Sequence, residues 1–218
     1  MVTEPNTPFG ARRGVFLDPQ RDAFCRLLPD GLLLTHADDG HRSILAFGPA
    51  EEVATEHGLS LAELSCDDGV AVPACFDPHF HWVQDHVRLA PKADLLTWLE
   101  RHTFPQEAAF ADAAYAEVEA ARFWGQVYAS GMIGGLCYSS IHLDALAAAF
   151  RHAPPRFRIG NVTMTMHCPD ALRQTVPAAI AATREAVSAH GDRCVVSPRF
   201  APTTAPEVLR AGAQLAHA

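Results

Sequence analysis

From Gly69 onward the chain alternates short apolar runs with helical stretches, four times in about 150 residues, and this alternation limits its fold more than any other feature. Val70–Phe76, Met132–Tyr138, Arg158–Met166 and Cys194–Ala201 read as strands. The first is nearly all apolar, the pattern of a strand buried on both faces of a parallel sheet. Between them come a loop from Trp82 to Pro105 and a helix with Phe110, Ala114, Val118, Ala121, Trp124 and Tyr128 on one stripe. His142–Arg151 reads as a shorter helix. Asp170–His190 reads as two helical pieces, since Pro177 interrupts a single helix unless it occupies the first turn of the second. Gly131 and Gly191 are placed to end helices, and Pro206-Glu207 opens a last one. Strands alternating with helices imply parallel strands and right-handed crossovers. Four such units make an open doubly wound sheet or half of an eightfold barrel, and the pattern alone leaves both open. No GxGxxG or GxxxxGK[ST] follows a strand, and Ile133-Gly134-Gly135 lies inside one.

The N-terminal part has a different texture. Gly14–Asp18, Leu27–Leu28, Gly31–Thr35 and Ser43–Phe47 read as short strands, with turn signals at Pro29-Asp30-Gly31 and Asp38-Asp39-Gly40. Ala50–His57 reads as a helix ended by Gly58. The expected division is a small β-sandwich portion over residues 1–68 and the first four β/α units of a barrel over residues 69–218.

A net charge of −8 disfavours broad contact with nucleic acid or an anionic membrane. No apolar run approaches the ~20 residues of a transmembrane helix, and Met1-Val2-Thr3-Glu4-Pro5 lacks the look of a signal peptide. Cys25, Cys66, Cys75, Cys137, Cys168 and Cys194 are widely spaced with no CxxC pair, which suits reduced thiols. The expectation is a cytoplasmic protein.

Chemistry concentrates at Asp77-Pro78-His79-Phe80-His81, at the carboxyl end of the first apolar strand. Side chains two apart on a strand share a face, so His79 and His81 can converge on one point. The carboxyl ends of barrel strands are where active sites lie, and imidazole nitrogen ligates zinc and similar ions. Asp77, one step back, is a candidate to orient a ligand. The plainer reading is a chance HxH on the surface of a chain with twelve histidines. Trp98 and Phe104 could wall a flat aromatic ligand, with the Gln84 amide reading its edge; the alternative is that the aromatics pack the loop down. Arg199, in Ser197-Pro198-Arg199-Phe200, would present planar donors into the barrel mouth, or else lie on the surface above a buried Phe200.

Taken together, these residues resemble the guanine deaminase branch of the amidohydrolase superfamily, over most of the chain. The likeness rests on Pro73 and Asp77-Pro78-His79-Phe80-His81, Gln84, and Leu95-Leu96-Thr97-Trp98-Leu99-Glu100. It continues through His102-Thr103-Phe104-Pro105 and Pro198-Arg199-Phe200-Ala201. HxH is shared by the whole superfamily, whereas the other segments are more specific to this branch. The resemblance implies a TIM-like barrel beside a small β-sandwich and one zinc ion held in part by His79 and His81. It implies substrate contacts from Gln84, Arg199 and Phe200, to which the loop reading adds Trp98, and hydrolytic deamination of guanine or a related aminated heterocycle in purine breakdown. It implies a homodimer when complete, or a C-terminal half-chain as partner.

The sequence also departs from the branch. Cys75 stands where glycine is usual, Trp82-Val83 precede Gln84, and Met132-Ile133-Gly134-Gly135 replaces a threonine-rich second strand. A bulky Trp82 beside the ligands is expected to reshape the pocket. The superfamily's histidines from the fifth and sixth strands, its proton-shuttling glutamate and its eighth-strand aspartate have no counterparts here. The expectation is therefore the N-terminal half of such an enzyme, with no catalytic acid or base of its own, inactive and marginally soluble alone. The alternatives are an amidohydrolase acting on another heterocycle or cyclic amide, and a degenerate non-catalytic half-barrel.

Overall fold

The computed structural model describes residues 9–21, 24–38, 41–92 and 94–217, and the chain divides into two compact units, Met1–Pro73 and Ala74–Ala218. The N-terminal pentapeptide lies outside the described residues, as do Asp39 and Gly40 of the expected turn.

In the first unit β1 (Phe9–Pro19), β2 (Cys25–Asp38) and β3 (His41–Pro49) form an antiparallel meander. α1 (Ala50–Glu56) follows, and β4 (Cys66–Ala71) adds in parallel to β1, giving the order β3-β2-β1-β4. Among the described residues this is one sheet rather than two facing layers. Leu32 and Leu34 bury their side chains against Ala50, Val53 and Ala54 of α1. Gly58, at φ +66°, follows the helix as expected.

Pro29-Asp30-Gly31 is not a turn. β2 runs straight through it, and the pairing jumps from Gly14–Gly31 to Phe16–Leu28, so two residues of β2 bulge opposite Val15. The bulge accommodates a proline that has no N–H to donate. Arg13 grips it by donating from Nε and Nη2 to the Asp30 carboxylate at 2.7 and 2.8 Å. A Cβ on Gly31 would come within 2.7 Å of the Phe16 ring.

The expected strand Val70–Phe76 is two strands in two sheets. Pro73 interrupts the run: Val70 and Ala71 end β4, and Cys75 and Phe76 begin β5 (Cys75–His81). Neither piece is buried on both faces, and Val70, Val72 and Phe76 are all more than half exposed. Among the described residues β5 pairs on one side only, with β6 (Met132–Tyr138), which pairs in parallel with β7 (Phe157–Gly160). The expected strand Arg158–Met166 thus ends at Gly160. Cys194–Ala201 makes a single parallel bridge, Cys194 to Ile159, instead of a ladder. It still takes the fourth position in the row.

The segment from Trp82 to Pro105 is largely helical rather than a loop. Trp82–Val87 is a 3-10 helix, and α2 (Leu95–Trp98) leads through a π-helical stretch, Leu99–Thr103, into α3 (Phe104–Ala109). Pro105 removes one backbone donor, and widening the preceding turn to i→i+5 pairing is a way round that loss. Asp94 caps α2 by accepting the Thr97 N–H at 2.9 Å.

α4 (Ala113–Ala129), α5 (Leu143–His152), α6 (Val176–His190) and α7 (Pro206–Ala216) complete the unit. Pro177 sits in the first turn of α6, and Thr175 accepts the Ala178 N–H as its cap. α4 is rotated from the expected stripe. It buries Ala116, Ala120, Phe123, Trp124 and Val127, while Val118 and Tyr128 are mostly exposed. An alanine-rich helix offers several nearly equivalent apolar faces, and the large rings Phe123 and Trp124 decide among them. They meet Phe80 and Phe157 of the sheet in edge-on and stacked contacts. No helix among the described residues is long and apolar enough to cross a membrane, and all six cysteines are free.

Candidate functional site

The site begins with an irregularity in β5. Asp77 is opposite Gly135 and Phe80 opposite Cys137, so Pro78 and His79 together face one residue of β6. The bulge brings β5 so close to β6 that a Cβ on Gly135 would lie 2.4 Å from the Asp77 carbonyl oxygen. This explains Gly135 within a strand, while a Cβ on Gly134 would meet the Phe76 ring and the Arg156 carbonyl instead. Asp77 Oδ1 accepts the backbone N–H of His79 at 2.9 Å. The carboxylate therefore fixes the bulged backbone instead of orienting an imidazole, as the sequence suggested.

Beyond the bulge, alternation resumes and His79 and His81 share a face. Their ring centroids are 5.4 Å apart, and both lie against Tyr138, at 4.7 and 4.8 Å. Tyr138 is the register partner of His81 at the carboxyl end of β6, a position sequence reading passed over. Two imidazoles sharing one zinc at ~2.1 Å Zn–N distances stand about 5 Å apart, so this spacing fits. His81 Nδ1 is buried and has no hydrogen-bond partner. Burial, then Arg199 and then His79, lower the His81 pKa to about 3, so its imidazole is neutral and its lone pair free. The pair fits a metal as two of its ligands. Among the described residues no group of three His, Cys, Asp or Glu side chains is gathered to complete one.

A cavity of about 640 Å³ is lined in part by Asp77, Phe80 and His81 of β5. Its lining also includes Gln84, Lys92 and Trp98, together with Phe123 and Val127 of α4. Trp98 is buried, its Nε1 lacks a partner, and the Lys92 ammonium lies 4.6 Å from its ring centroid. Trp82, expected to reshape the pocket, does not line it. Its ring packs edge-on to Phe110 at 4.8 Å, and Nε1 donates to Ser139 Oγ at 3.0 Å. It is a core residue.

Gln84 and Arg199 are brought together by a third residue. Glu107 of α3 is fully buried, and its Oε1 accepts both from Gln84 Nε2, at 2.8 Å, and from Arg199 Nη1. Arg199 is thus no surface residue: its side chain is 5% exposed, and its guanidinium stands 6.0 Å from the Phe104 ring centroid. Phe200, by contrast, is 42% exposed rather than buried. The structure gathers His79, His81, Gln84 and Arg199 around Tyr138 and Glu107; Trp98 joins at the cavity, and Phe200 stays at the surface. Glu107 went unnoticed in the sequence, although it sits three residues from both Phe104 and Phe110, on an apolar helical face.

No protein-family model matches the chain. Guanine deaminase of Dictyostelium discoideum is 33% identical over 177 residues, covering 76% of this chain and 39% of that protein. Guanine deaminase of Escherichia coli is 29% identical over 214 residues, covering 91% of this chain and 48% of that protein. The solved E. coli guanine deaminase superposes with a TM-score of 0.73 over 95% of this chain and 50% of its own. At the level of fold alone, an Arthrobacter aurescens atrazine chlorohydrolase mutant complexed with zinc and atraton superposes with a TM-score of 0.66 at 18% identity, over 95% of this chain and 50% of its own. The chain spans about half the length, or less, of the relatives it matches. In sequence and in fold the chain is similar to guanine deaminases over about half of such a protein's length.

Proposed function

We propose that this chain contributes part of the active site of a zinc-dependent hydrolytic deaminase acting on guanine or a closely related aminated heterocycle. The observation that carries the reading is the buried, unpartnered Nδ1 of His81 beside His79 at a strand's carboxyl end. His79 and His81 would hold one zinc ion, whose Lewis acidity makes water nucleophilic near neutral pH. Tyr138 packs on both rings and restricts their rotation. Gln84 and Arg199 would meet the polar edge of the heterocycle, with Trp98 and Phe200 as its aromatic flanks. The buried strip around Arg199 and Glu107 excludes water, which strengthens each hydrogen bond made there.

Two histidines are fewer than the three protein ligands of a catalytic zinc site. The reading therefore has the chain inactive alone and complemented by a C-terminal half-chain, in a homodimer when complete, and working in the cytoplasm. The test is ammonia release by the purified, zinc-supplied chain over aminated purines, pterins and pyrimidines. No release is expected from the chain alone, and release from guanine should appear once a complementary half is added. Turnover by the chain alone would overturn the inactivity, and preference for a pterin or pyrimidine would move the substrate. Failure of any pairing to release ammonia would favour a non-catalytic half-barrel.

A further inference from the structure

Glu107 makes no substrate contact in the chemistry just described, yet it occupies a costly position. A carboxylate with no exposed surface must be compensated by partners, or its burial costs several kcal/mol. Its compensation comes from two elements far apart in sequence: Gln84 in the turn after β5, and Arg199, 92 positions along the chain. Both donors converge on Oε1, while Oε2 is buried without a partner. This is more than an ion pair holding a helix down.

A carboxylate oxygen can only accept, so the end of the Gln84 amide facing Glu107 must be its NH2 group. The amide carbonyl is then turned away from Glu107 and available as an acceptor. Arg199 spends one N–H on Glu107 and keeps others as donors, with its charge balanced by its neighbour. We propose that Glu107 is a positioning residue: it fixes Gln84 as a hydrogen-bond acceptor and Arg199 as a charge-balanced donor, making one unit that reads a neutral N–H/C=O edge and rejects anions. Only the identity of the ligand rests on the deaminase reading; the arrangement of the three side chains does not.

Side-chain nuclear magnetic resonance on the intact 218-residue chain tests this without any turnover. In the wild type, the Gln84 Nε2 and Arg199 guanidinium hydrogens should exchange about tenfold or more slowly than those of the exposed Arg88 and the cavity-edge Gln126. Glu107→Gln keeps an acceptor but removes the charge. It should leave the Gln84 signals protected while the Arg199 signals shift and exchange faster. Benzoate, a planar anion, should bind Glu107→Gln at least about tenfold more tightly than the wild type, because an unbalanced guanidinium gains a carboxylate partner. Equal exchange for Gln84 and Gln126 in the wild type would overturn the proposal. So would benzoate affinity that is the same in the two proteins. If these results hold and no pairing releases ammonia, the deaminase reading fails alone.

Discussion

The two units of the chain treat polar groups in opposite ways. In Met1–Pro73 the core is, among the described residues, wholly apolar, built from residues such as Leu32, Leu34 and Val53, and the ion pairs Arg12–Asp67, Arg13–Asp30 and Arg26–Asp18 lie at the surface. In Ala74–Ala218 the interior holds Glu107, Asn161, Thr163 and several other polar residues. Every buried side-chain atom left without a partner, among the described residues, belongs to this unit. Buried unsatisfied groups are rare and costly in native proteins, and each calls for a partner such as an ordered water, an ion or a ligand. The first unit reads as a structure optimised for stability, and the second as one that gives up stability around His81, Trp98 and Glu107.

The contrast predicts unequal responses to substitution. The largest effect should come from Glu107→Ala, which strands the buried Arg199 charge and should cost roughly 3–5 kcal/mol. All three tryptophans, Trp82, Trp98 and Trp124, lie in the second unit, so denaturation followed by tryptophan fluorescence reports that unit alone. A cost below about 1 kcal/mol would place Glu107 among ordinary surface pairs and dissolve the contrast. Gly135→Ala comes next. Its Cβ would press on the Asp77 carbonyl and the Phe80 ring, and overpacking of that kind costs about 1–3 kcal/mol. It should also disturb the spacing of His79 and His81, seen as shifts in both imidazole signals; unshifted rings would show that the bulge does not set the pair.

The smallest effect belongs to Asp30. Hydrogen bonds from Arg13 hold its carboxyl below the usual carboxylate range. A group depressed in the folded state stabilises above its unfolded pKa, and that stabilisation is lost as pH falls through the folded pKa. The first unit should therefore loosen slightly on acidification. Asp30→Asn should flatten that dependence, measured by hydrogen exchange of β2 amides, with little change at neutral pH beyond the lost pair. A large loss at neutral pH would mean that the bulge depends on this pair more than its exposure implies.

How much was legible in the sequence follows from the same physics. His79 and His81 could be found because a strand's two-residue period survives past the bulge, even though the bulge itself changed the part played by Asp77. Strand β6 was readable to its ends, being a local apolar run. The face of α4 was not, because alanines at many positions leave the rotation to Phe123 and Trp124, whose partners lie on β5 and β7. The break at Pro73 was written in the sequence, but a continuous hydrophobic texture concealed it. Gln84, Arg199 and Glu107 show the limit: a unit whose ion pair joins residues 92 positions apart has no local pattern, and only the fold brings its members together.

The central claim is that His79 and His81 act as one pair of metal ligands. Zinc titration of the purified chain, followed through the imidazole signals of all its histidines, tests it most directly. The account predicts that these two rings shift together with a common midpoint, at one ion per chain, and that His81→Ala abolishes the shift at His79. Separate midpoints, or a stronger response from other histidines with these two unmoved, would contradict it.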